Sequence, residues 1–215
     1  MIINFSDYSA TQRYHLMTQT IIPRPIAWAL TSNADDASNI TGSIEQLNLA
    51  PFSYFCAVSS EPALLMLSVG KKPNGETKDT LSNVLKNKKM VIHIANQCQA
   101  DVVTQTAASL AYGESELVAA DQQSLQTVPF DGFDLPRLAD CDIAYGCELF
   151  EIKEIGGVPQ TLIFVEVKQL YISPKVSTET EGRIKVHADI VQPLARLGAS
   201  EYSGITAPFK KARPA

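Results

Sequence analysis

The alternation of apolar and polar positions predicts a chain built mainly of β-strands. Residues 63–69 and 90–95 are short, nearly continuous apolar runs, as in strands that are buried in a core. Residues 141–155 and 160–172 alternate over a longer distance and flank the turn sequence at 156–159. This pattern predicts a long β-hairpin beside the two buried strands.

Helical spacing of apolar residues is confined to a few segments. Residues 79–88 carry three aliphatic side chains at helical spacing, residues 101–111 form a second predicted helix, and residues 114–120 a third. A short helix is predicted at residues 9–12, and residues 184–191 are either another strand or coil. Many strands with two or three helices between them are typical of a barrel with helical decoration.

Prolines and polar residues predict where the strands are interrupted. Residues 21–31 form a strand whose Pro23 and Pro25 indicate an edge position or an extended lead-in, because proline cannot donate to a ladder. Residues 127–138 contain two prolines and an Asp-Gly pair, which predict a loop. Residues 32–46 form a loop longer than most connections, so it is either functional or disordered.

Composition limits the partners that the chain can have. It has 215 residues, of which 45% are hydrophobic and 19% charged, and neither a repeat nor a linker divides it, so we expect one domain over residues 1–215. The net charge of −5 and the pI of about 5.2 argue against a nucleic-acid partner. No apolar stretch is long enough to cross a membrane, and the amino terminus lacks the features of a signal peptide. We therefore expect a cytoplasmic protein.

The cysteines and histidines show no spacing that predicts a metal site or a disulfide. Cys56, Cys98, Cys141 and Cys147 form no C-x-x-C motif, so we interpret them as reduced, small apolar fillers. His93 lies in an apolar run and is interpreted as a core histidine whose hydrogen bonds are satisfied. No metal is expected.

Residues 48–55 have a composition suited to a flat ligand. Ala50 and Ser53 leave little side-chain bulk, and Pro51 makes an extended approach to a strand predicted to start near Phe52. Alternation after Phe52 is poor, which suits a strand buried on both faces or closed into a barrel. A flavin ring needs such an apolar seat with backbone hydrogen bonds. The alternative is an ordinary buried strand entered through a proline turn.

The start of the predicted helix at residue 79 has the properties of an anion site. Its free N–H groups and helix dipole favour negative charge, and lysines precede it. Lys78, Thr80 and Asn83 could complete a cage around such an anion. Asp79 is expected to cap the helix or to hold a lysine. The alternative is a capped surface helix with solvated lysines.

Four segments together resemble the flavin reductase-like family, the FMN-binding split barrels that include flavoredoxin-type proteins. The segments are IPRPIAW at 22–28, NLAPFSYF at 48–55, KDTxxN at 78–83 and PLARLG at 193–198 followed by Tyr202. The resemblance therefore extends over nearly the whole chain. It implies a mainly β fold, a Greek-key split β-barrel decorated by two or three helices. It also implies a homodimer whose two flavin sites are built from both subunits.

The resemblance implies FMN as the cofactor and assigns residues to it. Residues 48–53 would line the ring largely through the backbone, Ser68 would reach the ribityl chain or the phosphate, and the KDTxxN segment would hold the phosphate. The full set of expected cofactor-binding residues is Arg24, Asn48, Leu49, Ala50, Pro51, Phe52, Ser53, Ser68, Lys78, Thr80, Asn83 and Arg196.

The two arginines and their aromatic neighbours keep alternative roles. Arg24 reaches the flavin or a nicotinamide phosphate, or it pairs with an acidic neighbour. Arg196 neutralises a ligand phosphate or forms a salt bridge across an interface. Tyr202 belongs to the same segment, and Trp28 is either near the flavin or in the core.

The resemblance implies an NAD(P)H-dependent flavin reductase in which NADH or NADPH, as a transient substrate, passes a hydride to N5 of FMN. No catalytic side chain is assigned, because the cofactor carries the chemistry. Absence of a G-x-G-x-x-G motif argues against a separate nucleotide domain. Electrons would then pass to an acceptor protein or a monooxygenase. The alternatives are a flavoredoxin-like electron carrier and a non-catalytic binding protein for flavin or, with His187 as ligand, haem.

Three positions depart from the usual family pattern. The loop at residues 32–46 is longer and more acidic, so it acts as a lid, repels a phosphorylated nicotinamide or is only an insertion. Ala63 follows Glu61-Pro62 where a second proline is common, and Ala199 follows Gly198 where a second glycine is common.

Overall fold

Strands dominate the computed structural model, which describes residues 1–35, 40, 42–119, 125–157, 160–212 and 214. The helices are α1 (Ala10–Thr20), α2 (Asp79–Asn87), α3 (Ala100–Gln105), α4 (Glu116–Ala119) and α5 (Ala188–Val191). The strands are β1 (Arg24–Pro25), β2 (Ala27–Ser32), β3 (Leu47–Phe52), β4 (Phe55–Ser60), β5 (Ala63–Val69), β6 (Lys89–His93), β7 (Thr127–Phe130), β8 (Phe133–Leu138), β9 (Ile143–Ile155), β10 (Gln160–Ile172), β11 (Ser177–Thr180), β12 (Arg183–Val186), β13 (Ala195–Arg196) and β14 (Tyr202–Ser203).

A seven-stranded antiparallel sheet forms the centre of the molecule. Its order is β3-β2-β6-β9-β10-β5-β4. Three smaller sheets also form among the described residues, β1-β13-β14, β7-β8 and β11-β12. Pro25 lies in the edge strand of the first of these, as its lack of a donor predicts.

The central sheet curls so that its two edges approach each other. Its edge strands, β3 and β4, are consecutive in the chain and are joined only by Ser53 and Tyr54. Such a short link forces the two edges together, although no ladder pairs them among the residues described. Tyr54 accepts a hydrogen bond from the Ser68 N–H at 2.9 Å, which fixes this link against β5. The strands thus form an open barrel.

Two hydrophobic clusters pack on the opposite faces of this sheet. Along β2, Trp28 and Leu30 belong to one cluster, whereas Ala27 and Ala29 belong to the other. This alternation is the period-two pattern of a strand that is buried on both sides. Val84 of α2 lies in the second cluster, so the small alanines face the helix.

His93 is a satisfied core histidine, as expected. Its ring is fully buried, and the Leu138 N–H donates to Nε2 at 2.9 Å. The proton therefore lies on Nδ1, which donates to the Trp28 carbonyl at 3.1 Å. Burial lowers the pKa of His93 to about 4, because the charged imidazolium would lose its hydration.

The long periodic segments are predicted correctly. The helix expected at residues 79–88 is α2, and the strands expected at residues 63–69 and 90–95 are β5 and β6, the latter shifted slightly. The predicted hairpin is the β9-β10 pair. Part of its turn, Val158 and Pro159, lies outside the described residues.

The loop predicted at residues 127–138 is wrong, since these residues form the β7-β8 hairpin. The prolines misled the prediction because Pro129 occupies an irregularity in the ladder, where no N–H is needed. Gly132 supplies the positive φ of 76° at the turn. Leu135 and Leu138 are buried in the Trp28 cluster, which stabilises the hairpin.

Several smaller expectations also need correction. The short helix at residues 9–12 is the longer α1, which has a Ser9–Gln12 capping box but only one buried residue and therefore little apolar periodicity. The helix expected at residues 101–111 ends at Gln105. Of the helix expected at 114–120, only α4 forms among the described residues. Residues 184–191 contain the end of β12 and a short helix, α5.

The strand expected to start near Phe52 is placed differently. Phe52 ends β3, and the next strand, β4, begins at Phe55. Strand β4 is an exposed edge rather than a strand buried on both faces, which explains its poor alternation. Cys56 on β4 and Cys98 are exposed, so the filler interpretation is correct only for Cys141 and Cys147.

Candidate functional site

A cleft lies between β3, the turn after β5 and the start of α2. It consists of an outer cavity of about 580 Å³ and an inner cavity of about 70 Å³. The two share Pro51, Lys72 and Lys78 in their walls. The expected cofactor-binding residues that line this cleft are Asn48, Ala50, Pro51, Phe52, Ser53, Ser68, Lys78 and Thr80.

Strand β3 presents one free edge to the cleft. Within the described part of the chain it pairs with β2 on one side only, and the Leu49 N–H on the other side donates to Oε2 of Glu116 at 2.9 Å. Pro51 has the same parity as Leu49, so its missing N–H costs no ladder bond. The segment from Ala50 to Ser53 therefore offers backbone groups and small side chains to a ligand.

The turn after β5 forms as its Asn-Gly pair predicts and places two lysines. Gly75 has a φ of 86°, and its N–H donates to the Lys72 carbonyl at 2.9 Å. The Lys72 ammonium lies 2.6 Å from Asp79 and donates to the Leu110 carbonyl at 3.1 Å. Asp79 thus holds a lysine, which is one of its two expected roles.

Lys78 is a half-buried cation that faces the cleft and has no acidic ion-pair partner among the described residues. Burial and the neighbouring Lys72 lower the pKa of Lys78. Its ammonium lies 5.5 Å from the centre of the Phe52 ring, and no carboxylate of the described residues is within ion-pair distance. A half-buried ammonium in this situation favours an anion beside it.

The first turn of α2 has no side-chain cap. The helix begins at Asp79 with Lys78 as the N-cap, so of the two roles expected for Asp79 the cap is not the one observed. The Thr80 hydroxyl accepts a hydrogen bond from Nδ2 of Asn48 at 3.1 Å, which leaves its proton available to the inner cavity. Asn48 is held in place by a second donation to Thr31 at 3.2 Å.

Asn83 lies behind the cleft rather than in its wall. It is fully buried, and its amide donates to Thr31 at 3.1 Å and to Asn33 at 2.8 Å. These bonds fasten α2 to the end of β2. The cage expected from Lys78, Thr80 and Asn83 therefore has two of its three members at the cavity surface.

Arg24 does not line the cleft and forms no ion pair with an acidic side chain among the described residues. Its buried guanidinium donates to the carbonyls of Thr18, Ile21 (2.8 Å) and Leu197 (2.6 Å), and more weakly to the Ser53 hydroxyl at 3.4 Å. Two of these carbonyls end α1, whereas Leu197 belongs to the carboxy-terminal segment. Arg24 thus joins the two ends of the chain.

The remaining candidates lie outside the cleft of this chain. Arg196 stacks on Tyr202, 4.4 Å from the ring centre, and donates to the Ala199 carbonyl. Trp28 is core, and its indole N–H donates to Thr106 at 2.9 Å. An interface role for Arg196 stays a prediction.

Glu116 is a site residue that sequence reasoning missed. Its side chain lines the inner cavity, is only 7% exposed and accepts the Leu49 N–H. Burial raises the pKa of this carboxyl to about 7, helped by Asp79 and opposed by the Leu49 hydrogen bond and Lys72. Nothing in the local sequence distinguishes it from a surface glutamate at a helix start. Tyr14 and Gln160 in the outer cavity were also missed, because nothing in their local sequence distinguishes them from surface residues.

Two other kinds of site find no support in the part of the chain that the structure describes. Those residues contain no group of three or more histidine, cysteine or acidic side chains that could hold a metal ion. Their helices are also too short or too polar to span a membrane.

Comparison with known proteins agrees with the fold. The model of the flavin reductase like domain matches residues 18–189. The uncharacterized protein YwrF of Bacillus subtilis (strain 168) is 30% identical, over 99% of this chain and 98% of its own. Nitrilotriacetate monooxygenase component B from Bacillus cereus is 28% identical over 98% of both chains, with a TM-score of 0.82.

The fold itself is shown by a more distant structure. A protein of Shewanella frigidimarina NCIMB 400, described as a flavin reductase with a split barrel domain, has a TM-score of 0.78 at 17% identity over 100% of both chains. The predicted split barrel is therefore confirmed. With the family model covering most of the sequence, the chain belongs to the flavin reductase-like family.

Proposed function

We propose that the cleft binds FMN and that the protein is an NAD(P)H-dependent flavin reductase. Membership of the flavin reductase-like family makes it a flavin-linked oxidoreductase; FMN and the nicotinamide are the proposal. The observation that carries it is Lys78, a partly desolvated cation that faces the cleft beside the uncapped start of α2. A flavin phosphate supplies the missing negative charge.

The cleft fits FMN in size and chemistry. Its outer cavity of about 580 Å³ lies in the range of cofactor pockets, whereas the inner cavity of about 70 Å³ admits only a small group. Ala50, Pro51 and Phe52 would seat a flat ring, and the free edge of β3 would hydrogen-bond to it. Lys78, the Thr80 hydroxyl and the α2 N–H groups would hold the phosphate.

Bound flavin supplies hydride and electron transfer at N5, so the chain needs no acid or base of its own for that step. Its residues hold the cofactor, and the backbone and Lys78 stabilise negative charge on it. Tyr14 and Gln160 also line the outer cavity, and the nicotinamide would lie on their side of the ring.

The proposal for the acceptor of the reduced flavin comes from the similarity to a relative. The similarity to a monooxygenase component B favours a partner monooxygenase that receives the reduced flavin. A flavoredoxin-like carrier that keeps its flavin is the second candidate. A homodimer is also proposed, from family resemblance alone.

The phosphate site is tested with Lys78→Met, which removes the charge but keeps the length of the side chain. We expect FMN binding to weaken by roughly 10- to 100-fold, the loss of one charge-assisted hydrogen bond, as measured by fluorescence titration. Riboflavin, without the phosphate, should bind both proteins alike. Lys86→Met, at the exposed far end of α2, is the matched control. Equal FMN affinity in wild type and Lys78→Met would place the phosphate elsewhere.

The reductase is separated from the carrier by anaerobic addition of NADH or NADPH to the flavin-loaded protein. Rapid bleaching of the flavin absorption supports the reductase. Flavin that stays oxidised with both nucleotides supports the function of a flavoredoxin-like electron carrier. A protein that takes up no flavin contradicts both proposed functions.

A further inference from the structure

Four charged groups surround the inner cavity, and one of them determines its net charge. Lys72 and Asp79 form an ion pair of 2.6 Å and cancel each other. Lys78 has no ion-pair partner among the described residues, and Glu116 is the fourth group. The cavity is therefore neutral when Glu116 is ionised and carries one positive charge when Glu116 is protonated.

Glu116 is built into this wall and cannot turn away to solvent. It begins α4, which packs against β3, and its Oε2 accepts the Leu49 N–H at 2.9 Å. The residue is 7% exposed. Its carboxyl is thus fixed beside the cavity in which the proposed function places the flavin phosphate.

The pKa of Glu116 lies near neutral pH. Burial raises it to about 7, the hydrogen bond from the Leu49 N–H lowers it, and the charges of Asp79 and Lys72 have smaller, opposite effects. Glu45 and Glu114 lie in the wall of a separate cavity, with Ser115 and Val118. A small change of charge in the inner cavity is therefore enough to protonate Glu116 at physiological pH.

We propose that Glu116 takes up a proton when the phosphate group of a flavin binds in the inner cavity. This inference rests on the proposed FMN site. A phosphate dianion repels an ionised carboxylate in a poorly hydrated cavity, whereas it is attracted to the cavity when Glu116 is neutral. The protonated carboxyl also gains an O–H that can donate to a phosphate oxygen. FMN binding is consequently coupled to proton uptake, and riboflavin binding is not.

The coupling predicts how FMN affinity changes with pH. By linkage, the dissociation constant should rise by up to tenfold per pH unit between pH 7.5 and 9, as about one proton is taken up per FMN. The FMN phosphate becomes a dianion at lower pH, near 6, which would strengthen binding as pH rises and so has the opposite sign.

The experiment measures the binding of FMN and riboflavin from pH 7 to 9 in wild type, Glu116→Gln and Glu114→Gln. Glutamine keeps an acceptor for the Leu49 N–H but cannot take up the proton. We expect FMN affinity to be nearly independent of pH in Glu116→Gln. In wild type and in the exposed control Glu114→Gln, FMN affinity should depend steeply on pH. Riboflavin affinity should be independent of pH in all three proteins.

Calorimetry of the wild type in two buffers of different ionisation enthalpy counts the protons directly and does not depend on the variant folding. About one proton per FMN and none per riboflavin supports the inference. No proton uptake with FMN, or the same pH dependence in Glu116→Gln, overturns it while the FMN site stands. A protein that binds neither flavin at any pH overturns the proposed function as well.

Discussion

Arg24 and Lys78 are both expected from the sequence to bind the cofactor, but their environments in the structure differ. Arg24 is 5% exposed and surrounded by backbone carbonyls, whereas Lys78 faces a cleft. A buried guanidinium whose donors are used by carbonyls stabilises the fold and is unavailable to a ligand. We therefore expect the role of Arg24 to be structural.

Replacing Arg24 with methionine should destabilise the protein by roughly 3 kcal/mol, because the carbonyls of Thr18, Ile21 and Leu197 lose their donors in a buried position. Urea unfolding of the flavin-free protein measures this, with the exposed Arg13→Met as control. FMN affinity of the folded variant should not change. Unchanged stability together with lost FMN binding would return Arg24 to the flavin site.

The sequence indicates which residue types can bind an anion, but not where each side chain points. The cluster at the start of α2 could be predicted because Lys78 and Thr80 are close in the chain and in space. One partner of Arg24 lies 173 residues away, and Glu116 reaches Leu49 across 67 residues. Such contacts depend on the tertiary fold, and no local pattern indicates them.

Helix α2 has unusual residues at both ends. At its start, Lys78 provides no side-chain cap. At its end, Lys88 adopts a left-handed conformation with a φ of 61°, a position that glycine usually occupies. The start is consistent with an anion site, whereas the end carries a backbone cost of about 1 kcal/mol for a non-glycine residue.

Lys88→Gly should therefore raise the free energy of unfolding by roughly 1 kcal/mol, by relieving this strain. The same change two residues earlier, Lys86→Gly, lies inside the helix and should lower it by about 1 kcal/mol. Chemical denaturation of both variants gives the sign of the change in the free energy of unfolding. Destabilisation in both would show that Lys88 contributes a contact that outweighs its conformation.

Elements with strong periodicity were predictable, and those stabilised by distant contacts were not. Strand β5 and the β9-β10 hairpin follow their sequence pattern because burial alone determines their period. The hairpin at residues 127–138 contains two prolines and forms because its apolar residues pack under the Trp28 cluster. Helix α1 is mostly exposed, so its length leaves no apolar pattern.

At the scale of the whole molecule, two buried groups give opposite pH dependences. The pKa of His93 is lowered to about 4, so the stability it contributes is present above pH 6.5 and is lost as pH falls towards 4. The pKa of Glu116 is raised to about 7, so stability is gained as pH falls from 7 to 4.5. The two effects largely cancel between pH 4.5 and 6.5.

Replacing either residue should make the pH dependence caused by the other one measurable. In flavin-free Glu116→Gln, the free energy of unfolding should fall by about 2 kcal/mol more than in wild type between pH 6.5 and 5, because only His93 then titrates. His93→Gln should show the reverse. Urea unfolding at several pH values measures the free energy of unfolding of both variants. If it changed with pH in both variants as it does in wild type, His93 and Glu116 would not have opposite effects.

The overall fold could be anticipated from sequence only through the family resemblance. Counting strands does not yield the order of the central sheet, in which β3 and β4 are neighbours in the chain but occupy opposite edges. That order follows from long-range pairing such as Ala29 with Ile92. Composition and periodicity limit the class of fold, and the pairing is set by the packing of both cores.

The gap between β3 and β4, which no ladder bridges among the described residues, offers a way to detect a ligand bound in the cleft. The cleft walls include residues of β3 and β5 and the Ser53–Tyr54 link, so a molecule held there touches the β3 side of the gap and the link at its end. Amides along this gap should exchange with deuterium faster in the empty protein than amides of β2 or β6, which are paired on both sides. Slowing of that exchange would reveal colourless ligands, such as nucleotides or substrate analogues, that no absorption spectrum detects.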